Sequence, residues 1–296
     1  MSTATADSTA RPESLAAAPA PPDPIRVEDP ITRVNYSLDQ LQRLADLLAV
    51  EDGYEPAVRE FEIPKHFKLS VVIPVYNEER TIQTVLQRVA ALPVPKEIVI
   101  VDDASTDGTR ELLNQFECAA DVHVIFKPQN EGKGAALRTG FRRVTGDVVV
   151  VQDADLEYDP RDILAVIEPI VRGEADVVYG SRFLNVDGTR SVPTTFVHRL
   201  GNRMLTWASN LLTGLAITDM ETCYKAFRRE ALRSFEIQQN RFGFEPEVTA
   251  KIARRKLRVE EVPIRYAARS YAEGKKIGIK DLLNALWCIV RYGLWD

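Results

Sequence analysis

A run of four valines followed at once by acidic residues constrains this chain more than any other stretch. Residues 147–160 read D-V-V-V-V-Q-D-A-D-L-E-Y-D-P. The unbroken β-branched run at 148–151 is typical of a strand buried on both faces of a parallel sheet. Asp153 and Asp155 follow where that strand would end, and open α/β sheets bind ligands in the crevice at this edge. The sequence therefore predicts a site at the tip of a central strand.

The acidic residues of this stretch have the composition of a weak metal site. Alternation along a strand directs the carboxylates of Asp153 and Asp155 the same way. Two hard oxygen donors hold Mg²⁺ or Mn²⁺ weakly and leave positions for water and substrate phosphates. Glu157 continues the alternation as a third ligand or a water anchor. The alternative is that these acids only cap and solvate the helix that Pro160 opens.

The segments around this strand alternate between strand-like and helix-like patterns. Strands are predicted at residues 69–75, 97–101, 122–126, 148–151 and 176–179, and helices at 78–92, 109–116, 132–144 and 160–171. Asn77 is expected to cap the first of these helices. This alternation predicts an α/β fold with a parallel, doubly wound sheet and helices on both faces. Beyond residue 180, helices are predicted at 196–212 and 245–256, a strand at 257–264, and a final helix from residue 279 or 281.

The two ends of the chain differ from this regular part. Residues 1–35 contain almost no large apolar side chains and are predicted to be a disordered tail. A leucine-rich helix capped by Ser37 and an irregular connection occupy residues 36–68. Residues 277–296 are predicted to form an apolar helix that docks on the domain, packs on another subunit, or lies at a membrane surface.

Composition limits the classes of function. A formal net charge of −5 argues against a general polyanion binder, and so against a nucleic-acid partner. Three widely separated cysteines argue against a disulfide framework or a zinc site, and predict reduced thiols in a cytoplasmic protein. No apolar run reaches the roughly 18 residues needed to span a bilayer. Any membrane work is therefore predicted to be done from the surface.

Two loops fall where the carboxyl edge of the sheet is expected. In P-V-Y-N-E-E at 74–79, Tyr76 is expected to border or stack on a base, and Glu78 is expected to accept a hydrogen bond from a ribose hydroxyl. The alternative is that the segment is only a helix start. In V-D-D-A-S-T-D-G-T at 101–109, either acid of the pair 102–103 is placed to accept a hydrogen bond from the N3 of uracil or a related donor. These two loops form a candidate nucleoside site.

A third loop, N-E-G-K-G-A-A-L at 130–137, has glycines that let backbone approach a phosphate at a helix N-terminus. Lys133 adds a positive charge there. The loop is not a Walker A motif, because the G-K is not followed by Ser or Thr and the upstream glycine spacing is absent.

Taken together, these four motifs resemble family 2 glycosyltransferases, whose order and spacing they share over residues 69–276. Within that family, Y-G-S-R-F at 179–183 and R-S-Y-A-E-G-K-K at 269–276 resemble the polyprenyl (dolichyl or undecaprenyl) phosphate sugar synthases. The resemblance implies a GT-A fold with a donor half at 69–180 and an acceptor half at 181–276. It also implies a UDP- or GDP-linked sugar donor, a divalent metal, and inversion at the anomeric carbon.

The resemblance also assigns roles to individual residues. Asp153 and Asp155 match the metal ligands, whereas Glu157 stands where related synthases often carry Gln. The positions that match nucleoside-binding residues are Pro74, Tyr76, Glu78 and Asp103.

Transfer to a lipid phosphate requires cations, because two anionic groups must be held close together. The metal, Lys133 and Arg182 are expected to neutralise the leaving diphosphate. The candidates for binding the acceptor phosphate are Arg182, Arg199, Arg269, Lys275 and Lys276. The alternative for such a basic run is a solvated surface.

Two further hypotheses stay open. If the acceptor is a carbohydrate or small-molecule hydroxyl, a carboxylate base is needed. The resemblance implies Asp219 or Glu221 for that role, since they lie where other members of the family place the base. A non-catalytic nucleotide-sugar-binding scaffold is the other alternative, although the intact acidic pair argues against it.

The stretch at 196–215 is either an interfacial helix or a core helix. The sequence leaves homo-oligomerisation open.

Overall fold

The computed structural model describes residues 61–116, 121–184, 196–268 and 279–295. The predicted disordered tail and N-terminal helix lie outside these ranges, as do the predicted acceptor residues Arg269, Lys275 and Lys276.

The described residues form one seven-stranded sheet in the order β3-β2-β1-β4-β6-β5-β7. The strands are β1 Leu69–Val75, β2 Lys96–Asp102, β3 Val122–Phe126, β4 Val148–Val151, β5 Val177–Ser181, β6 Lys225–Arg228 and β7 Val259–Pro263. Strands β1 to β4 pair in parallel, and β5 pairs in parallel with β7. Strand β6 runs antiparallel to both of its neighbours. The predicted α/β class with a mostly parallel sheet is confirmed.

The helices follow the predicted order. They are α1 Ile82–Ala90, α2 Thr109–Asn114, α3 Lys133–Phe141, α4 Ile163–Val171, α5 Phe196–Thr213, α6 Arg229–Arg233, α7 Phe244–Arg254 and α8 Ile279–Leu294. A 3-10 turn, Pro160–Asp162, leads into α4, and the Asp159 carboxylate caps it by accepting from the Arg161 N–H at 3.0 Å.

The core lies on the sheet. All four valines of β4 are fully buried, as are Leu69, Val71, Val72 and Ile73 of β1. Helix α3 packs closely on β1, because a Cβ added at Gly140 would lie 2.5 Å from Val72 Cγ1. This close approach holds the C-terminal end of α3 against β1.

The prediction that Asn77 caps α1 is wrong. The helix begins at Ile82, with Thr81 before it. Asn77 has a φ of +55°, and its side-chain oxygen accepts from the Thr106 N–H at 2.7 Å. Because that oxygen is bound to the loop after β2, it is not available to the helix.

Strand β6 and the short helix α6 were not predicted. The strand reads K-A-F-R, and both of its end residues are charged yet buried. Without β-branched residues or polar–apolar alternation, the segment lacks the local signal of a strand.

Helices α5 and α8 carry all the large apolar side chains that are exposed within the described ranges. They are Leu200, Met204, Trp207 and Leu211 of α5, with Leu282, Leu283, Leu286, Trp287, Val290, Leu294 and Trp295 of α8 and its end. Among the described helices, none combines the length and apolar character needed to cross a bilayer.

Candidate active site

The site lies where β1, β2 and β4 end. The parallel register places Val75 of β1 beside Asp102 of β2, and Val72 beside Val151 of β4. The loops that follow these strands therefore meet at one edge of the sheet, as the sequence predicts.

The first two loops are hydrogen-bonded to each other. The Asn77 N–H donates to Ser105 Oγ at 2.9 Å, and the Glu78 N–H donates to Thr109 Oγ1 at 3.0 Å. Glu78 Oε2 accepts from Thr81 Oγ1 at 2.9 Å. Pro74 and Tyr76, like Glu78, are half-buried at this edge. The predicted nucleoside-binding residues of β1 thus lie together on a braced pair of loops.

The two acids that end β2 have different surroundings. Asp102 is fully buried and accepts from Arg110 Nε at 2.6 Å, which makes it a structural residue. Asp103 accepts from Lys127 Nζ at 2.5 Å and from the Gly132 N–H at 2.6 Å. Through these hydrogen bonds, Asp103 holds the loop that leads into α3.

The N-terminus of α3 is approached by protein backbone from the second half of the chain. The Ala135 N–H donates to the Asn240 carbonyl at 3.0 Å. Gly132 has a φ of +102°, and a Cβ there would lie 2.6 Å from the same carbonyl. Gly132 and Gly134 thus permit close packing of the 239–241 segment on the loop for which the sequence predicts a phosphate contact.

Lys133 links the tip of β4 to α7. Its Nζ lies 3.0 Å from Asp153 Oδ1 and 3.4 Å from Glu245 Oε1. Burial by itself lowers the pKa of Lys133, but the charges of Asp153 and Glu245 outweigh it and hold that pKa well above its usual value. A permanent positive charge therefore sits beside the predicted metal ligand.

The other predicted ligands lie in the turn after β4. The Glu157 N–H donates to the Asp155 carbonyl at 2.9 Å and approaches Asp155 Oδ1 at 3.3 Å. Glu157 Oε2 accepts from Tyr266 Oη at 2.8 Å, so Tyr266 holds the Glu157 carboxylate.

These residues fit a metal bound mainly through substrate. Within the described ranges, no group of three or more His, Cys, Asp or Glu side chains is arranged to hold a metal ion. Mg²⁺ in nucleotide sites commonly takes only one or two carboxylates, with substrate phosphates and water completing its shell. Asp153 and Asp155 supply that donor set, and Lys133 is the cation that Asp153 contacts in this structure.

Arg182 and Asp219 form a buried, two-pronged ion pair. Arg182 Nε donates to Asp219 Oδ2 at 2.7 Å, and its Nη2 donates to Oδ1 at 2.8 Å. The Arg182 N–H and Asn202 Nδ2 also donate to the carboxylate, at 3.1 and 3.0 Å. The guanidinium lies 5.0 Å from the centre of the Tyr266 ring.

The ion pair with Arg182 controls the pKa of Asp219. Burial by itself raises the pKa of this carboxyl, but the charge and hydrogen bonds of Arg182 outweigh it and lower the pKa below its usual value. A carboxylate with four donors and a lowered pKa is a weak base. Its evident role is to orient Arg182.

Glu221 has the opposite environment. Burial, followed by the charge of Glu245, raises the pKa of Glu221 to about 8. Its Oε1 and Glu245 Oε2 are buried oxygens without a hydrogen-bond partner among the described residues. Of the two acids predicted as candidate bases, Glu221 is thus the one with a raised pKa and an unpaired oxygen.

Sequence reasoning missed several residues of this cluster. Glu245 lies in the first turn of α7, where an acid is expected from the helix dipole alone. Lys225 is fully buried, donates to the Met220 carbonyl at 2.9 Å, and lies 4.9 Å from the centre of the Tyr179 ring. Burial lowers the pKa of Lys225. The contacts of Glu245 with Lys133 and of Lys225 with Tyr179 join segments far apart in the chain and leave no local signal.

Of the predicted acceptor cations, the structure places Arg182 in the cluster and Arg199 on α5, half-buried. Arg182 is therefore the predicted acceptor cation that the structure places in contact with Asp219 and over the Tyr266 ring.

Comparison with solved structures defines the class of the fold. Glucosyl-3-phosphoglycerate synthase from Mycobacterium tuberculosis, in complex with Mn²⁺, uridine diphosphate and phosphoglyceric acid, superposes with a TM-score of 0.59 at 21% identity. The match covers 78% of this chain and 80% of that one. The same enzyme with Mg²⁺ and uridine diphosphate gives a TM-score of 0.57 at 22% identity, over 76% and 80% of the two chains. The fold is a GT-A glycosyltransferase fold.

Sequence comparison then gives the family. The profile of Glycosyl transferase family 2 matches residues 70–235. An undecaprenyl-phosphate mannosyltransferase from Micrococcus luteus is 32% identical over 241 residues, covering 77% of this chain and 94% of the relative. A UDP-N-acetylglucosamine–dolichyl-phosphate N-acetylglucosaminyltransferase from Methanococcus voltae is 31% identical, covering 71% and 90%. The chain belongs to glycosyl transferase family 2 and is a glycosyltransferase, as its motifs predict.

Proposed function

We propose that this glycosyltransferase moves a sugar from a nucleoside-diphosphate sugar to a polyprenyl phosphate, with inversion and with help from Mg²⁺ or Mn²⁺. The observation that carries the proposal is the arrangement of charge at the sheet edge. Lys133 contacts Asp153 at the tip of β4, and the oriented guanidinium of Arg182 belongs to the same buried cluster. The similarity to polyprenyl-phosphate sugar transferases, over 77% and 71% of this chain, supports this choice of acceptor.

The donor is assigned to residues 69–180 and the acceptor to 181–276. Pro74, Tyr76 and Glu78 border the nucleoside, and Asp103 fixes the loop that carries Lys133. The nucleotide is uridine or guanosine diphosphate.

Asp153 and Asp155 would hold the metal, which supplies Lewis-acid stabilisation of the leaving diphosphate. Lys133 adds a permanent positive charge beside the same phosphates. Glu157, held by Tyr266, contributes by bracing the turn after β4.

The reaction is a single displacement. An acceptor phosphate oxygen attacks the anomeric carbon, and the bond from that carbon to the donor diphosphate breaks, with the electron pair leaving on the nucleoside diphosphate. A phosphate is already anionic near neutral pH, so no catalytic base is required. Its approach is opposed by like charge, which Arg182 reduces, together with Arg199, Arg269, Lys275 and Lys276.

A second candidate is transfer to a hydroxyl group with Glu221 as the general base. The observation in its favour is the pKa of about 8 and the unpaired buried oxygen of Glu221. Asp219 is a weaker candidate for that role because Arg182 occupies it.

The metal assignment is tested with three matched variants. Asp153→Asn and Asp155→Asn are expected to abolish turnover and to weaken Mn²⁺ binding, measured by electron paramagnetic resonance in the presence of nucleotide. Glu157→Gln is the control, and we expect it to retain activity and Mn²⁺ binding. Full Mn²⁺ binding by Asp153→Asn and Asp155→Asn would overturn the assignment.

The proposed cellular location is the cytoplasmic face of a membrane, because a polyprenyl phosphate is a membrane lipid. Fractionation of cells into membrane and cytosolic pools tests this.

A further inference from the structure

The outward apolar faces of α5 and α8 are not explained by sugar transfer alone. Trp207 and Leu211 of α5 are 67% and 69% exposed, and Trp287 and Leu294 of α8 are 54% and 50% exposed. Large exposed apolar patches in a folded protein mark interaction sites. Elsewhere in the described ranges, exposed side chains of this kind are absent.

The two faces belong to one surface. Helices α5 and α8 pack against each other, and a Cβ added at Gly293 of α8 would lie 3.0 Å from Leu212 Cβ of α5. Their buried sides meet the domain, so their outward sides lie next to each other. We call this surface the two-helix face and define it by Leu200, Met204, Trp207, Leu211, Trp287 and Leu294.

The two-helix face lies directly behind the proposed acceptor site. The opposite side of α5 carries Asn202, whose Nδ2 donates to Asp219 Oδ1 at 3.0 Å, and Asp219 holds Arg182. An α-helix with its side chains is about 10 Å wide. The exposed side chains of α5 are therefore about one helix diameter from the Arg182–Asp219 pair.

The charge of these helices identifies the occupant. Helix α5 contains Arg199 and Arg203 and no acidic residue, whereas the whole chain has a net charge of −5. Helix α8 contains Lys280 and Arg291 against a single acid, Asp281. Exposed tryptophans next to arginines are typical of helices that lie in the headgroup region of an anionic bilayer. A second copy of the chain would instead bring like charges together.

We propose that the two-helix face docks on an anionic lipid bilayer and lies in its headgroup region. The polar side of α5 then faces the acceptor site while the apolar side faces the lipid. A polyprenyl phosphate could keep its chain in the bilayer while its phosphate reaches Arg182. This inference rests on the proposed function, whose acceptor it places at the surface.

Flotation of the full-length protein with vesicles tests the inference. We expect the protein to float with vesicles of phosphatidylcholine and phosphatidylglycerol, to float less with phosphatidylcholine alone, and to be released by high salt. The Trp207→Glu and Trp287→Glu substitutions should each reduce binding roughly tenfold, because each places a charge on the apolar face. Gln87→Glu, at an exposed position of α1, adds the same charge elsewhere and should float like the wild type.

Two further measurements separate the outcomes. Thermal unfolding should be unchanged in both tryptophan variants, since the side chains are exposed, and transfer to a short, water-soluble polyprenyl phosphate should be retained. Failure of the wild type to float, unchanged flotation of both tryptophan variants, or a dimer that both variants dissociate would overturn the docking surface. Flotation without any transfer to a polyprenyl phosphate would overturn the proposed function and leave the docking surface standing.

Discussion

The ion pair between Arg182 and Asp219 offers the most informative single perturbation. Asp219→Asn keeps the size of the side chain but removes its charge. Three donors of Arg182 point at the native carboxylate, at 2.7, 2.8 and 3.1 Å, and the carboxylate is fully buried. Removing one partner of a buried ion pair costs about 3–5 kcal/mol, so we expect the free energy of unfolding to fall by about that amount.

The same variant should affect the acceptor more than the donor. A guanidinium that loses its orienting partner no longer meets the acceptor phosphate in the productive geometry, and a misplacement of about 1 Å costs roughly 100-fold in rate. We therefore expect kcat/KM for polyprenyl phosphate to fall roughly 100-fold. The affinity for the nucleoside diphosphate, measured by calorimetry, should stay nearly unchanged because the donor contacts belong to other loops.

The chain contains a matched control. Asp176 also pairs with an arginine through two prongs, since Arg258 Nε and Nη2 donate to it at 3.0 and 2.8 Å. Arg258 is half exposed, and Asp176 lies before β5, at the opposite end of that strand from Arg182. Asp176 also lies 3.8 Å from Nε of the buried Arg228, so Asp176→Asn has a stability cost of its own, but it should cost less than Asp219→Asn and leave acceptor kinetics unchanged.

Two results would refute this reasoning. If Asp219→Asn keeps wild-type stability and acceptor kinetics, the pair does not position Arg182. If the variant instead removes an ionisation from the acidic limb of the pH–rate profile while Arg182→Lys does not lower the rate, Asp219 acts as a base. The lowered pKa of Asp219 predicts no such limb near neutral pH.

Three further predictions concern other charged groups. Burial alone raises the pKa of Glu97, but hydrogen bonds from Ser70 and Thr145 outweigh it and lower the pKa to about 2, from 4.5. Glu97→Gln should then lower the free energy of unfolding by roughly 3 kcal/mol near pH 7. In the wild type, this stabilisation is present above about pH 4.5 and is lost as the pH falls towards 2, which acid unfolding measures. Lys133→Met should lower kcat by about 100-fold or more, since a charge near the leaving group is lost, and steady-state kinetics with saturating metal checks this. Because the folded-state pKa of Glu221 is raised to about 8, the free energy of unfolding should fall as the pH rises from about 4.5 to 8. Glu221→Gln should remove this pH dependence from the melting temperature, measured by thermal unfolding, and should keep transfer to phosphate acceptors.

Local pattern was enough to predict strands β1 to β5. The strands at 69–75, 122–126 and 148–151 have the predicted bounds, because runs of β-branched residues between turn signals leave little choice. The loops after β1, β2 and β4 follow from the parallel topology, which brings the ends of those strands to one edge. Asp153 therefore follows the end of β4 at that edge, as the pattern predicts.

Long-range contacts account for what local pattern missed. Asn77 looked like a helix cap, but its partner is Thr106 in another loop. Glu245 contacts Lys133 across more than a hundred residues, and the assignment of Asp219 as a base could not include its pairing with Arg182. Such partners depend on the packing of the two halves, which spacing along the chain does not encode.

The most direct test of the central claim is identification of the product. The purified protein is incubated with a panel of labelled UDP- and GDP-linked sugars, Mn²⁺, and either polyprenyl phosphate or the corresponding polyprenol, and the lipids are analysed by mass spectrometry. We predict a polyprenyl-phosphate monosaccharide from one of the donors, none from the polyprenol, and none after chelation of the metal. Sugar attached only to a hydroxyl acceptor, or undiminished transfer with the metal chelated, would contradict the account.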